Sequence, residues 1–229
     1  MLLLFDIDGT LLLRAHTAHR DSLHAALREV HGVADPAAAH VDAAGRTDGE
    51  IAREILLLSG VSAERIDERR DDLRDACCRE YARRCPESLA ETVAPGIPEL
   101  LESLAGRDDV RLSLVTGNFE PVARLKLARA GLGHHFPPGQ GGFGSDDEDR
   151  TMLPAVARRR AGRDGSPHPP EDTVVIGDTP RDIACARADG VRCLAVATGP
   201  YAPEALQAAD GVARTARELP ELLAGLAAG

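Results

Sequence analysis

The chain of 229 residues has no tryptophan, two tyrosines, four phenylalanines and a single lysine, Lys126. So few aromatics leave no stacking platform of the kind single-stranded nucleic-acid binders use. A formal net charge of −10 repels a polyphosphate backbone as well, so nucleic acid is not an expected partner. The five cysteines, Cys77, Cys78, Cys85, Cys185 and Cys193, form no paired CxxC set. An odd number in a chain too long to need staples points to free thiols in a reducing compartment. No window approaches the roughly 18 uninterrupted apolar residues of a membrane span. The apolar start Met1 to Phe5 runs into Asp6 with no basic region before it, unlike a signal peptide. A cytoplasmic protein without a membrane partner is the expectation, as a monomer or a homodimer.

What is present is enough to fold. Hydrophobic residues make up 43% and charged residues 28%, far from the composition of disordered chains, and the length suits one generous domain or a domain with an insertion. Short apolar runs at residues 2–5, 110–115, 173–176 and 193–197, with a shorter one at 211–213, predict buried strands. Helical patterns lie between them at 98–104, 121–130, 152–161 and 181–188. That alternation predicts an α/β fold, a Rossmann-like parallel sheet with helices on both faces. Residues 15–91 break the rhythm, with helical stretches at 18–30, 51–58 and 63–84 and no convincing strand. The reading is a core domain of residues 1–14 and 92–229 carrying an all-helical insertion, 15–91. The stretches at 139–142 and 162–170 are expected to be surface loops.

Three strand ends carry chemistry. Asp6-Ile7-Asp8-Gly9-Thr10 follows the first strand, where open α/β sheets place their ligand crevice. Two carboxylates there can converge, one attacking an electrophile and the other exchanging a proton, with Mg²⁺ between them and the substrate. Thr116-Gly117-Asn118 ends the second strand in a hydroxyl and a flexible turn whose N–H groups suit a phosphate oxygen, although such a turn also serves simply as a helix cap. Gly177-Asp178-Thr179-Pro180-Arg181-Asp182 repeats the strand, acidic loop, helix pattern. Asp178 stands at the strand tip and Asp182 one helical turn on, as a metal ligand, a supporting acceptor or an ordinary cap.

DxDGT, TGN and GDTPxD in that order resemble the haloacid-dehalogenase-like superfamily over nearly the whole length. The helical insertion resembles the C1-type cap of the branch that includes phosphoglycolate phosphatases. The resemblance implies that Asp6 is the nucleophile taking the phosphoryl group and Asp8 the general acid and base. It implies Mg²⁺ held by Asp6, the backbone carbonyl of Asp8 and Asp178, with Asp182 in support, and phosphoryl oxygens gripped by Thr116 and the backbone of Gly117 and Asn118. The implied partner is a small phosphorylated metabolite, phosphoglycolate-like or a sugar phosphate.

The family also supplies a cation, usually a lysine, between the second and last motifs. Lys126, ten residues after Thr116, is read as too early and on a poor trajectory, and Arg150, at the end of an acidic loop before a helix, takes the role, with Arg158 to Arg160 as fallback. Arg46, in a Gly-Arg-Thr element like the one that faces the site in this branch, is a substrate-binding candidate, while Thr47 and Glu50 fit a capping box. Arg14 and His16 are weaker candidates, and His134-His135 is assigned no function for want of a further ligand. Asp8 argues against a dehalogenase, and a lysine-free insertion argues against a phosphonatase. A sugar-phosphate mutase and a non-catalytic phosphate-ester binder are the alternatives to a phosphatase.

Overall fold

Leu2, Leu3, Leu4 and Phe5 are all fully buried, and a strand with no wet face must lie in the middle of a sheet covered on both sides. The structure, a computed structural model, describes residues 1–227; residues 228 and 229, the last two of the expected core domain, lie outside the described residues. In it β1 (Leu2–Phe5) pairs in parallel with β2 (Arg111–Thr116) on one side and β4 (Thr173–Gly177) on the other. β3 (Gly142–Phe143) extends the sheet beyond β2, and β5 (Arg192–Val196) and β6 (Gly211–Ala213) extend it beyond β4. The order β3-β2-β1-β4-β5-β6 is wholly parallel.

Alternation along β1 sorts the core. Leu3 and Phe5 pack with α5 (Ile97–Ala105), α6 (Glu120–Arg129) and α9 (Leu219–Ala227). Leu2 and Leu4 pack with α7 (Leu153–Ala161) and α8 (Pro180–Ala188) on the opposite face. Each buried side chain of this kind contributes on the order of 2 kcal/mol, which anchors the strand whose next residues are the polar ones.

The chain reverses direction across the sheet between β1 and β4, the switch point at which such sheets open a crevice. Residues 15–91 hold α1 (Thr17–His31), α2 (Asp48–Leu58), α3 (Ala63–Glu68) and α4 (Arg70–Arg84), and no named strand. A two-stranded neck joins this stretch to the rest: Leu13 N donates to Thr92 O at 2.6 Å and Ala94 N to Leu11 O at 2.9 Å, around an antiparallel bridge between Leu12 and Val93.

Two local expectations are corrected. The helix expected over 63–84 is two, because the chain breaks at Arg69 (φ −111°) and turns Leu73, Ala76, Cys77 and Tyr81 inward as α4 packs on α1. The 139–142 loop ends in a strand: Gly142 and Phe143 pair with Val115 and Thr116, and a two-residue strand leaves no apolar run to detect. α9 had no counterpart in the sequence reading.

Candidate active site

Parallel strands in register deliver their carboxyl ends to one edge. Phe5 is level with Leu114 on β2 and Ile176 on β4, so Asp6, Thr116 and Asp178 leave adjacent strand ends together. Gly9 lets the DxDGT loop fold back there: its φ is +91°, and a Cβ on it would stand 2.2 Å from Asp178 Oδ2. Thr10 Oγ1 donates to Asp178 Oδ1 at 3.1 Å, and Thr198 Oγ1 closes the loop by donating to Gly9 O at 2.6 Å.

Asp6, Asp178 and Asp182 are all buried and bring carboxylate oxygens within 4.8 Å of one another. Arg150, itself buried, reaches Asp6 Oδ1 at 3.2 Å and donates to Asp182 Oδ1. One guanidinium does not balance three carboxylates. Burial pushes Asp6 up to about 7, opposed by Arg150 and reinforced by Asp182 and Asp8. Burial likewise pushes Asp178 up to about 8, with Asp6 and Asp182 adding repulsion. A set of hard oxygen donors with surplus negative charge fits a divalent cation such as Mg²⁺. Asp182 Oδ2 accepts from Thr179 N at 2.9 Å and Thr179 Oγ1 at 2.7 Å, completing a capping box on α8. The capping reading of Asp182 is thus met, and both of its oxygens are engaged, one by Thr179 and one by Arg150.

Asp8 faces elsewhere. Lys126 Nζ donates to its two carboxylate oxygens at 2.8 and 2.6 Å, and Asn118 Nδ2 donates to Oδ2 at 2.9 Å. Burial alone would raise this carboxyl, but the Lys126 ammonium and the hydrogen bonds from Lys126 and Asn118 outweigh it and hold it below the usual carboxylate range. This corrects the reading of Lys126 as badly aimed: α6 leaves β2 at the site's edge and carries the side chain back toward it. The sequence reading also passed over His19 and Asp48. His19 Nδ1 lies 3.2 Å from Lys126 Nζ, and His19 Nε2 lies 3.0 Å from Asp48 Oδ2.

The second strand end docks on the helical stretch. Thr116 Oγ1 accepts from Asn118 Nδ2 at 3.0 Å, Asp48 N donates to Gly117 O at 2.8 Å, and Phe119 N donates to Asp48 Oδ2 at 2.8 Å. A Cβ on Gly117 would meet Arg46 O at 2.0 Å, so glycine is needed for this contact.

A cavity of about 1190 Å³ opens over Asp6, Asp8, Asp178 and Arg150, with Arg14, His16 and Arg46 on its wall. Arg46 is not free: it donates to Glu54 and stands 3.4 Å from Glu50 Oε1. Thr47 does cap α2, accepting from Glu50 N at 3.1 Å, while the Glu50 carboxylate turns to Arg46. Of the fallback cations, Arg158 pairs with Asp189 at 2.7 Å and Arg160 with Asp146 at 2.6 Å. His134 and His135 do have a third neighbour, Glu102 of α5, at 3.7 Å from each.

A family model described as haloacid dehalogenase-like hydrolase matches residues 3–187. A phosphoglycolate phosphatase of Rhodospirillum rubrum is 30% identical over 198 residues, 86% of this chain and 79% of that protein. A phosphoserine phosphatase of Thermus thermophilus is 33% identical over 71% of this chain and 60% of its own length. Among solved structures, a β-phosphoglucomutase from Clostridium difficile superposes with a TM-score of 0.69 at 15% identity, covering 100% of this chain and 99% of that one. CbbY from Rhodobacter sphaeroides, solved with phosphate, superposes at 0.66 and 20% identity, with 95% of each chain covered. At these identities the solved structures speak to the fold.

Proposed function

The chain belongs to the haloacid dehalogenase-like hydrolase family, and from that premise we propose that it is a Mg²⁺-dependent phosphatase of small phosphorylated metabolites working through an aspartyl-phosphate. One observation carries the reading: Asp6 and Asp8, two residues apart, line one cavity, Asp6 within a cluster of three carboxylates that fits a divalent cation and Asp8 outside it. The relatives named phosphoglycolate and phosphoserine phosphatase support a phosphoric monoester hydrolase.

In this reading an Asp6 oxygen attacks phosphorus as the ester P–O bond breaks, and Asp8, ionised beside Lys126 in the free protein, takes up a proton with the substrate and gives it to the leaving oxygen. Asp8 then takes a proton from the water that attacks the aspartyl-phosphate, releasing phosphate and restoring Asp6. Asp6, the Asp8 carbonyl and Asp178 would hold Mg²⁺, with Asp182 in support. The ion would supply charge neutralisation and orientation of the phosphoryl group. Arg150 shares the Asp6 oxygen and is placed to receive charge that develops beside it. Thr116, with the backbone of Gly117 and Asn118, takes the phosphoryl oxygens. Residues 15–91 act as a cap over the cavity that keeps out bulk water, and Arg46 contributes to choosing the substrate from its wall. The five cysteines are all free, which suits a reducing cytoplasm.

The test is phosphate release with Mg²⁺ from p-nitrophenyl phosphate, phosphoglycolate, phosphoserine and sugar phosphates, with Asp6→Asn as the blank. Release that vanishes in the variant and with chelator is expected. No release from any ester overturns the reading, and isomerisation of a sugar phosphate without release assigns the protein to the mutases instead.

A further inference from the structure

Lys126 is fully buried and shares the inward stripe of α6 with Val122, Ala123 and Leu127, a place where helices put apolar residues. A buried ammonium costs several kcal/mol unless it is paired and hydrogen-bonded. This one is: it grips both Asp8 oxygens, at 2.6 and 2.8 Å. We propose that Lys126, seated by His19 and Asp48, is the positioning residue that fixes the Asp8 carboxylate for its work on the leaving oxygen. The proposal rests on the phosphatase reading above.

The chain of contacts has one consistent direction. An ammonium only donates, so His19 Nδ1, 3.2 Å away, accepts from it. The ring hydrogen is then on Nε2 and is donated to Asp48 Oδ2 at 3.0 Å. Asp48 is itself pinned by the Phe119 N–H at 2.8 Å. The His19 ring stands edge-on to Tyr81, centroids 5.6 Å apart, so packing fixes its plane. α6 thus touches the carboxylate directly, with α1 and α2 behind it in the same chain of contacts. Asp8, His19 and Asp48 line the cavity and Lys126 does not, so Lys126 acts through Asp8 and not on substrate. With one carboxylate oxygen also held by Asn118 Nδ2 at 2.9 Å, the plane of the Asp8 carboxyl is set by donors on two sides.

The experiment compares kcat/KM for p-nitrophenyl phosphate, whose leaving group needs no proton, with that for phosphoglycolate, whose alkoxide does. In Lys126→Met the value for phosphoglycolate is expected to fall at least about ten-fold more than that for the aryl ester. His19→Phe keeps the ring packing and removes both nitrogens. It is expected to show the same divergence at about three-fold, and it carries the test alone if Lys126→Met does not fold. Equal losses on the two esters, or no loss, overturn the positioning role while leaving the phosphatase reading in place. Where phosphoserine or a sugar phosphate is turned over faster, that alkyl ester takes the place of phosphoglycolate; a wild-type protein that releases phosphate from no ester of the panel overturns both readings, since Asp8 would then have no leaving oxygen to serve.

Discussion

Asp6 and Asp8 leave the same strand end, yet their surroundings are opposites. The Asp6 side gathers three carboxylates around one guanidinium, and burial with mutual repulsion pushes Asp6 up to about 7 and Asp178 to about 8. The Asp8 side has one carboxylate against an ammonium, an imidazole and a carboxamide, and is held low. The difference is made by helices, not by the loop: Arg150 comes from the turn before α7 and Lys126 from α6. An over-charged pocket needs a cation from outside, and a balanced one keeps its charge without help.

The sharpest way to break this contrast is to neutralise its first member. Asp6→Asn is expected to lower phosphate release by roughly a thousand-fold or more, read against unchanged circular dichroism. If the variant keeps more than a tenth of wild-type turnover, Asp6 is not the nucleophile. Arg150→Ala should cost about 10²- to 10³-fold in kcat. Arg150→Lys should recover only part of it, because one guanidinium nitrogen, Nη2, reaches both Asp6 and Asp182, and the shorter lysine side chain does not bring its ammonium to that point.

Stability gives an independent reading of the crowded side. The folded pKa values of Asp6 and Asp178 lie above their ordinary 3.8, so between about pH 4 and 8 the native state holds protons that the unfolded chain has released. Unfolding then loses protons, and the contribution of these groups to stability falls as pH rises through that window. In the absence of divalent cation, Asp178→Asn should therefore melt higher than wild type at pH 8, by on the order of 5 °C at ~2–4 °C per kcal/mol. The gap should close at pH 5 or with Mg²⁺ at pH 8. Thermal scans with chelator and with added Mg²⁺ decide it, and a gap independent of pH would show that repulsion is not its source.

The smallest effect expected is at Arg46. Its guanidinium is occupied by Glu50 and Glu54, so Arg46→Ala should leave kcat within about two-fold while raising KM a few-fold for substrates with a second anionic group. An equal KM change for p-nitrophenyl phosphate would remove it from substrate selection.

The sheet and the order of its motifs were legible because fully buried parallel strands write unbroken apolar runs, and each ends where polar residues begin. The exception, Gly142 and Phe143, has too few residues for a run. Arg150 could be nominated from its place between the second and third motifs, but its contacts with Asp6 and Asp182 cross 144 and 32 residues of sequence and only tertiary structure reveals them. Lys126 had left a signal that sequence spacing along the motif hid: a cation three and four residues from Ala123 and Val122, on the stripe that faces inward. His19 and Asp48 had none, since one of three histidines on α1 and an acid in the first turn of α2 both look like ordinary helix chemistry.

Lys126 also gives the folded molecule an unusual chemical surface. All 26 other cationic side chains counted with it are arginines, and the one lysine is at 0% exposure, so an acylating reagent that targets lysine amines finds none within reach. Acylation at Lys126 requires the helix to part from Asp8 first. The rate at which a mass label appears there, measured under native conditions, would time how often the interior of this protein opens.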